Sequence, residues 1–432
     1  MSLQSMLGAD EAPSTSTRRA YAPTRRRTPA ASVLTPISRV ELAQCLVSAN
    51  PLNPRSGADT KPSSANGARA SLPPPPAGLP SKPEPAVGGA PGYDGAGSRA
   101  RKRPLTDTDG PPVVDEEARK RWREGDRRTV ADHYNARPNT DRVARTDSPI
   151  IGLKRFNNWI KSVLIGRFGR REGDTTPLVK VLELGCGKGG DLQKWSKAGT
   201  DGYVGIDIAT VSVEQARSRW EEMRGRRFPA EFYTLDCFEE SIDQVLPPAT
   251  TARPFDVVSM QFCMHYAFET EAKVRTMLEN VVQHLRPGGV FIGTIPDARN
   301  LFEHLDAADP ENPLIFGNSI YSVKFDSREN ESVYGHRYTF FLQDAVEEVP
   351  EYVVYWDNFV SLAAEYGLEV RFQADFQTIF VEEQSDPYFA NLLRRMKVMD
   401  DEGNAEMDED QLDAAMLYLG FAFVKTGGGA TP

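Results

Sequence analysis

The chain has 432 residues, of which 40% are hydrophobic and 26% charged, with a formal net charge of −10 and four cysteines. No apolar run approaches the roughly 18 residues of a membrane span, and no secretory apolar segment is evident. Cys45, Cys186, Cys237 and Cys263 have neither metal nor disulfide-framework spacing, so export, a membrane anchor, a zinc site and a disulfide scaffold are excluded as expectations and a reducing compartment is expected.

Charge and proline content divide the chain. The first 130 residues hold 20 basic against 13 acidic residues and 18 of the 32 prolines, including Pro73 to Pro76. No periodic apolar pattern survives there, so too little apolar surface is buried to offset ordering entropy, and residues 1–128 are predicted to be a disordered arm. Within the arm, Arg99-Ala100-Arg101-Lys102-Arg103-Pro104 reads as a nuclear address, a nucleic-acid contact or a solvated charge run. Residues 129–432 carry the rest of the charge, about −17, and are long enough for one large core. A polyanionic substrate would have to meet a local basic patch on this acidic body. Much of the acid lies in Glu347-Glu348, Glu382-Glu383 and the stretch Asp400 to Asp410, the last expected to be a solvated insert or loop.

Predicted elements follow in order. His133-Tyr134-Asn135 opens the ordered region, and Phe156, Trp159, Ile160, Val163 and Leu164 mark an amphipathic helix over residues 151–164. Strands are predicted at 179–184, 203–206, 230–235, 255–260 and 290–295, separated by helices at 190–198, 211–223 and 271–285. The last helix is expected to stop at Arg286-Pro287-Gly288-Gly289. Alternation of this kind means an α/β fold with a doubly wound parallel sheet. Beyond Pro296 the pattern changes: strands at 320–325, 338–342 and 368–372, with a helix at 356–366, are expected to form a small β-rich lid.

The run Val179-Lys180-Val181-Leu182-Glu183-Leu184 passes directly into Gly185-Cys186-Gly187-Lys188-Gly189-Gly190. A strand ending in such a turn lets backbone approach a ligand, because glycine has no Cβ to collide with it. The spacing Gly185-x-Gly187-x-x-Gly190, with Asp207 about 20 residues on, fits the dinucleotide pattern. Glu183 ahead of the first glycine, with Lys188 and Asp191 in the turn, instead resembles the first motif of S-adenosylmethionine-dependent methyltransferases. A carboxylate attracts the ammonium and sulfonium of that cofactor. Ligands of doubly wound sheets bind past the carboxyl ends of the strands, and Asp207, Asp236 and Gln261 are all predicted at those ends.

Five separated segments resemble one family, the eukaryotic mRNA cap guanine-N7 methyltransferases. They are Phe156-Asn157-Asn158-Trp159-Ile160-Lys161-Ser162-Val163-Leu164-Ile165, Leu184 to Leu192 across the glycine turn, Gln261-Phe262-Cys263-Met264-His265-Tyr266, Phe316-Gly317-Asn318-Ser319-Ile320-Tyr321 and Val349-Pro350-Glu351-Tyr352. The resemblance runs from about His133 to Val424. It implies a class I methyltransferase fold with S-adenosylmethionine bound by Lys161, Gly185, Asp207, Asp236, Gln261 and Tyr266. It implies a cap substrate, GpppN at the 5′ end of mRNA, held by Lys188, Lys194 and Arg219 on the phosphate side. Asn157, His265, Glu351 and Tyr418 would stand on the guanine side. Glu351 would accept from the two donors of the guanine edge, and Tyr418 would offer a stacking face. Guanine N7 has a lone pair and no proton to lose, so no residue is expected as general acid or base, with Glu351, His265 and Tyr266 aligning the reactants. No metal is implied. A nuclear location is expected, with the arm docking on RNA polymerase II machinery or other capping enzymes. The alternatives are an S-adenosylmethionine-dependent N-methyltransferase of a small nucleoside-like substrate, a nicotinamide-dependent dehydrogenase and an inactive RNA-binding scaffold.

Overall fold

The computed structural model describes residues 125, 129–136, 147–169, 179–225, 227–400 and 404–427. The expected arm, apart from Gly125, and its basic cluster lie outside the described residues.

The first labelled helix, α1 (Ile151–Phe168), buries Phe156, Trp159, Ile160, Val163 and Leu164, the i, i+3, i+4, i+7, i+8 stripe expected of a helix with one apolar face. Each such side chain contributes about 1.5–3 kcal/mol on burial. Strand β1 (Val179–Leu184) is buried at every position, which is why its sequence reads as a continuous apolar run. It pairs in parallel with β2 (Thr200–Asp207) on one side and with β4 (Phe255–Gln261) on the other. Helices α2 (Leu192–Ala198) and α3 (Thr210–Glu221) flank β2, and β3 (Ala230–Thr234) closes that edge. Helix α4 (Glu271–Val282) leads into β5 (Leu285–Pro296), parallel to β4.

With β10 (Leu368–Asp375) and β11 (Tyr418–Lys425), the large sheet among the described residues has seven strands in the order β10-β11-β5-β4-β1-β2-β3. Its strand order reverses between β1 and β4, so a crevice opens at their carboxyl ends. Alternate residues of β1 serve opposite faces: Leu182 and Leu184 join one apolar cluster, Val179 and Val181 the other.

The structure corrects the sequence reading in four places. Helix α4 ends at Val282 rather than at Leu285, because Lys425 takes the carbonyls of Val282 and Leu285 (2.6 and 2.8 Å) and Phe255 N takes that of His284 (2.7 Å). The Pro-Gly-Gly run then forms an irregularity within β5, where the register slips between Phe255 and Val257. The strand predicted at 368–372 is β10 (Leu368–Asp375), and it belongs to the large sheet rather than to the lid, held there by antiparallel pairing with β11 (Tyr418–Lys425). Residues 408–410 of the acidic stretch are not loop. Asp408 caps α9 (Glu409–Met416) by accepting from Gln411 N at 2.8 Å, and Glu409 and Asp410 fill its first turn, where the helix dipole favours negative charge. Residues 401–403 lie outside the described residues.

The lid is a second, four-stranded antiparallel sheet, β6 (Ile315–Gly317), β7 (Tyr321–Phe325), β8 (Arg337–Leu342) and β9 (Val346–Tyr352). It follows α5 (Ala298–Asp306). Strand β9 went unpredicted because Pro350 breaks a strand pattern; it is tolerated on the edge of this sheet, where one side needs no ladder hydrogen bond. Helix α6 (Trp356–Glu365) is as expected, whereas α7 (Phe376–Glu383) and α8 (Pro387–Arg395) were not predicted. No helix among the described residues is long and apolar enough to cross a membrane.

Candidate active site

The glycine turn closes on the neighbouring strand. Gly185 N and Cys186 N both donate to Ile206 O (2.8 and 3.0 Å). Gly185 and Gly187 have φ of 72° and 50°, a region that costs an L side chain about 1–2 kcal/mol. A Cβ on Gly185 would stand 2.5 Å from Cys263 Sγ, whereas one on Gly187 would meet nothing within 4 Å. Asp207, the last residue of β2, accepts from Gly187 N (2.8 Å) and Ala209 N (2.9 Å). Burial pushes its carboxyl up, and these two backbone donors oppose the rise.

Behind the turn lies a buried charge network. Asp191 receives Lys161 Nζ on one oxygen (2.8 Å) and Lys194 Nζ on the other (2.7 Å). Burial alone would raise the Asp191 carboxyl, but the two ammonium groups outweigh it and hold the group well below the usual carboxylate range. Lys194 also donates to Asn158 Oδ1 (2.7 Å) and Gly190 O (3.2 Å), and burial lowers its pKa. On β1, Glu183 accepts from the Tyr203 hydroxyl (2.5 Å). Burial first, and then the Asp191 charge, raise Glu183 to about 8.

Asp191 and Glu183 open onto one cavity of about 450 Å³ at the carboxyl ends of the strands. Lys161, Gly185 and Asp207 line it, as do Asp236, Gln261 and Tyr266. Lys188 and Arg219 add two cations to its wall. Asp236 is buried and accepts from Phe238 N (3.1 Å). Gln261 is oriented by Ser259 Oγ and Thr294 Oγ1 (3.2 and 3.3 Å). Phe262, next in sequence and also on the wall, has φ of 60°, a strained backbone of the sort that clusters at ligand sites. The hydroxyls of Tyr266 and Tyr134 meet at 3.2 Å, so the helical segment 129–136 reaches the cavity as well.

Beyond Tyr266 lies a second group. The His265 and Tyr266 rings are 4.4 Å apart between centroids. His265 Nε2 is 3.3 Å from Glu351 Oε1, although its ring nitrogens make no hydrogen bond among the described residues. Tyr338 donates to Glu351 Oε2 at 2.8 Å. Burial, then the Glu351 charge and the Tyr134 and Tyr321 hydroxyls, push the Tyr418 phenol up, and the Tyr418 ring meets that of Phe262, on the cavity wall, edge-on with centroids 5.0 Å apart. Tyr418 stacks on Phe376 with centroids 5.8 Å apart. Pro350 and Tyr352 line the cavity on either side of Glu351 in β9, while Glu351, one step away in the strand alternation, joins the tyrosines.

The structure therefore brings eight of the predicted residues onto one cavity and gathers His265, Glu351 and Tyr418 next to it. Lys194 and Asn157 do not line the cavity. Lys194 is turned to Asp191 and Asn158, and Asn157 Oδ1 is buried without a hydrogen-bond partner among the described residues. Sequence reasoning assigned no site role to Asp191, Tyr134 or Ser212. Asp191 was visible as an acid in the glycine turn. Ser212, 1% exposed and with its hydroxyl on the cavity wall unpartnered among the described residues, had no signal beyond its place in the first turn of α3.

A family model described as the mRNA (guanine-N(7))-methyltransferase domain matches residues 117–426. The mRNA cap guanine-N(7) methyltransferase of Cryptococcus neoformans is 52% identical over 68% of this chain and 47% of its own length, so the chain spans about half of that relative. The protein of the same name from Schizosaccharomyces pombe is 50% identical over 69% of this chain and 82% of its own length. The Arabidopsis thaliana mRNA cap guanine-N(7) methyltransferase 1 is 43% identical over 69% and 82%.

Proposed function

This chain belongs to the mRNA (guanine-N(7))-methyltransferase family, and from that membership we propose that it transfers a methyl group from S-adenosylmethionine to N7 of the guanosine cap of GpppN-ended RNA. One observation carries the reading: a cavity with carboxylates at the ends of β2 and β3 adjoins, across Tyr266, a buried carboxylate fixed by Tyr338 and faced by His265.

The first chamber fits the cofactor. Gly187 leaves open space at its wall, and Asp207 and Asp236 are acceptors for hydroxyl and amino groups. S-adenosylmethionine, when bound, supplies a methyl group already activated as a sulfonium, for in-line transfer. Lys161 stands ready for a carboxylate with Asp191 holding its ammonium in place. Lys188 and Arg219 face the phosphates, and Lys194 serves that side by anchoring Asp191.

The second group fits guanine. Glu351 accepts from the N1–H and the exocyclic amine, His265 donates to O6, Tyr418 offers a stacking face, and Asn157 is assigned to this side by the family resemblance alone. N7 has an in-plane lone pair and no proton, so the protein needs no general base. Its work is orientation and exclusion of water, for which proximity contributes about 7–11 kcal/mol. Acid at the rim favours positive charge as it passes to guanine.

The test is incubation with labelled S-adenosylmethionine and, in parallel, RNA ending in GpppN and free guanosine, followed by digestion and identification of the labelled nucleoside. Label in 7-methylguanosine from the cap supports the reading. Label in free guanosine alone supports the small-nucleoside alternative, and absence of label in either overturns both. The same reading carries a nuclear site of action, with Arg99 to Pro104 as the address and nascent-transcript machinery as the partner of the arm. A fluorescent fusion that keeps its nuclear location after neutralisation of that run sinks the address.

A further inference from the structure

The segment Phe316 to Tyr321 is among the five in which this chain resembles its family, yet it does not line the cavity and has no role in the reaction as described. Its side chains converge on one carboxylate. Asp413, in α9, receives the Tyr321 hydroxyl at 2.9 Å and Asn318 Nδ2 at 3.2 Å, both on Oδ2. Its other oxygen is 3.2 Å from His304 Nε2 in α5. The turn between β6 and β7 is shaped for this. Gly317 has φ of 146°, and a Cβ there would stand 2.2 Å from Tyr321 O. Asn318 Oδ1 accepts from Ile320 N at 3.0 Å, Asn318 Nδ2 also donates to Asp410 O at 3.0 Å, and Ser319 Oγ donates to the Asp410 carboxylate.

We propose that Asp413 is a positioning residue that sets the opening of the acceptor pocket, an inference that rests on the function proposed above. Two walls meet there. Tyr418 comes from the large sheet, five positions after Asp413 in sequence, and pairs with Pro296 of β5. Between them, Leu417 O accepts from Asp297 N (2.8 Å), the cap residue of α5. Glu351 comes from the lid and is held by Tyr338 of β8, the strand that pairs with β7 and so with Tyr321. Asp413, with Asp410 one turn earlier, joins the helix leading into Tyr418 to the hairpin leading to Tyr338 and Glu351, and it alone of the two takes the Tyr321 hydroxyl. With it, the distance between a stacking face and a guanine-edge acceptor is fixed before substrate arrives, which lowers the ordering cost of binding. The cofactor chamber lies on the other side of Tyr266 and draws none of its wall from these three contacts.

The experiment compares the full chain with Asp413→Asn and Tyr321→Phe, measuring kcat and KM on GpppN-ended RNA and, separately, the Kd for S-adenosylmethionine by calorimetry. Asp413→Asn is expected to raise KM for capped RNA about tenfold while the cofactor Kd moves less than about twofold, the loss of hydrogen bonds to a charged group being worth this much. Tyr321→Phe, which removes one hydroxyl and keeps the ring, is expected to raise KM about threefold, and the double variant to be no worse than Asp413→Asn, because the two changes break the same contact. Unchanged KM in both variants overturns the proposal. So does an equal loss in cofactor affinity, which marks general loosening. A wild-type chain inactive on GpppN-ended RNA overturns the underlying function and the proposal with it, whereas an active wild type with an indifferent Asp413 overturns the proposal alone.

Discussion

Gly187 gives its backbone N–H to Asp207 across 2.8 Å, so the turn after β1 and the carboxylate at the end of β2 form one rigid rim. Neighbouring strands of a parallel sheet end at the same height, and here the register pairs Leu184 with Ile206, placing the two features side by side. The rim exists before any ligand binds.

Removing the Asp207 carboxylate takes away an acceptor for ligand hydroxyls and the partner of two backbone donors. Asp207→Ala is expected to weaken S-adenosylmethionine binding about 10- to 100-fold, as loss of charge-assisted hydrogen bonds does. Calorimetric titration checks this, and a Kd within twofold of wild type would exclude Asp207 from the cofactor site.

The two glycines should separate in stability. Gly185→Ala carries both a left-handed backbone and a 2.5 Å contact with Cys263 Sγ, and is expected to lose about 2–4 kcal/mol. Gly187→Ala meets nothing within 4 Å and should lose only the backbone part, about 1–2 kcal/mol. Urea unfolding of both variants gives the comparison.

Asp191 lies between two ammonium groups, all three side chains at most 15% exposed. Asp191→Asn leaves those cations buried without their counter-charge, at a cost of about 3–5 kcal/mol near neutrality. Burial pushes the carboxyl up, but Lys161 and Lys194 bring it well below its unfolded value. Its stabilisation is therefore complete above the unfolded value of about 3.9 and is lost as pH falls from there toward the folded value. Unfolding midpoints of wild type and variant should converge in acid. A gap that stays constant from pH 7 to pH 3 would contradict the assignment.

Glu183 works in the opposite sense. Burial and the Asp191 charge raise it to about 8, so the folded chain binds the proton more tightly than the unfolded one. That stabilisation is complete below the unfolded value of about 4.3 and fades as pH rises toward the folded value. Glu183→Gln keeps an acceptor for Tyr203 and cannot ionise. Its stability is expected to fall less than that of wild type between pH 5 and about 8. Thermal melts across that range decide it, and parallel slopes would rule the effect out.

Glu351 should control the acceptor and not the cofactor. Glu351→Ala is expected to lower kcat/KM on capped RNA about 100-fold or more, with the cofactor Kd retained. Tyr338→Phe, which frees one Glu351 oxygen, should cost about tenfold. Full activity of Glu351→Ala on GpppN-ended RNA would remove it from the pocket.

The residues that line the cavity were legible because they sit at the ends of successive strands, each announced by a local pattern: glycines after β1, Asp207 ending β2, Asp236 after β3, Gln261 ending β4. The group beside it, Glu351 and Tyr418, was legible only through resemblance. Glu351 lies on a strand that Pro350 disguises, and Tyr418 begins a strand buried through its first six positions, which gives no alternation to read. The orientation of Lys194 depends on Asn158, 36 residues earlier on a different helix. No periodicity reports a partner brought in by packing. The same holds for Tyr134, whose role comes from Tyr266, 132 residues away.

Strand β11 sits between β5 and β10, antiparallel to both. Residues 418–425 thus occupy an interior slot of a sheet whose other strands precede them in sequence. Until they are inserted, β5 has a bare edge and β10 has no neighbour. Such long-range pairing is slow, and open edges invite pairing between chains. A ribosome-bound or truncated chain lacking this segment should therefore be prone to self-association and dependent on chaperones. Assembly of the sheet and completion of the pocket become a single late event, because the residue that starts the missing strand is Tyr418 itself.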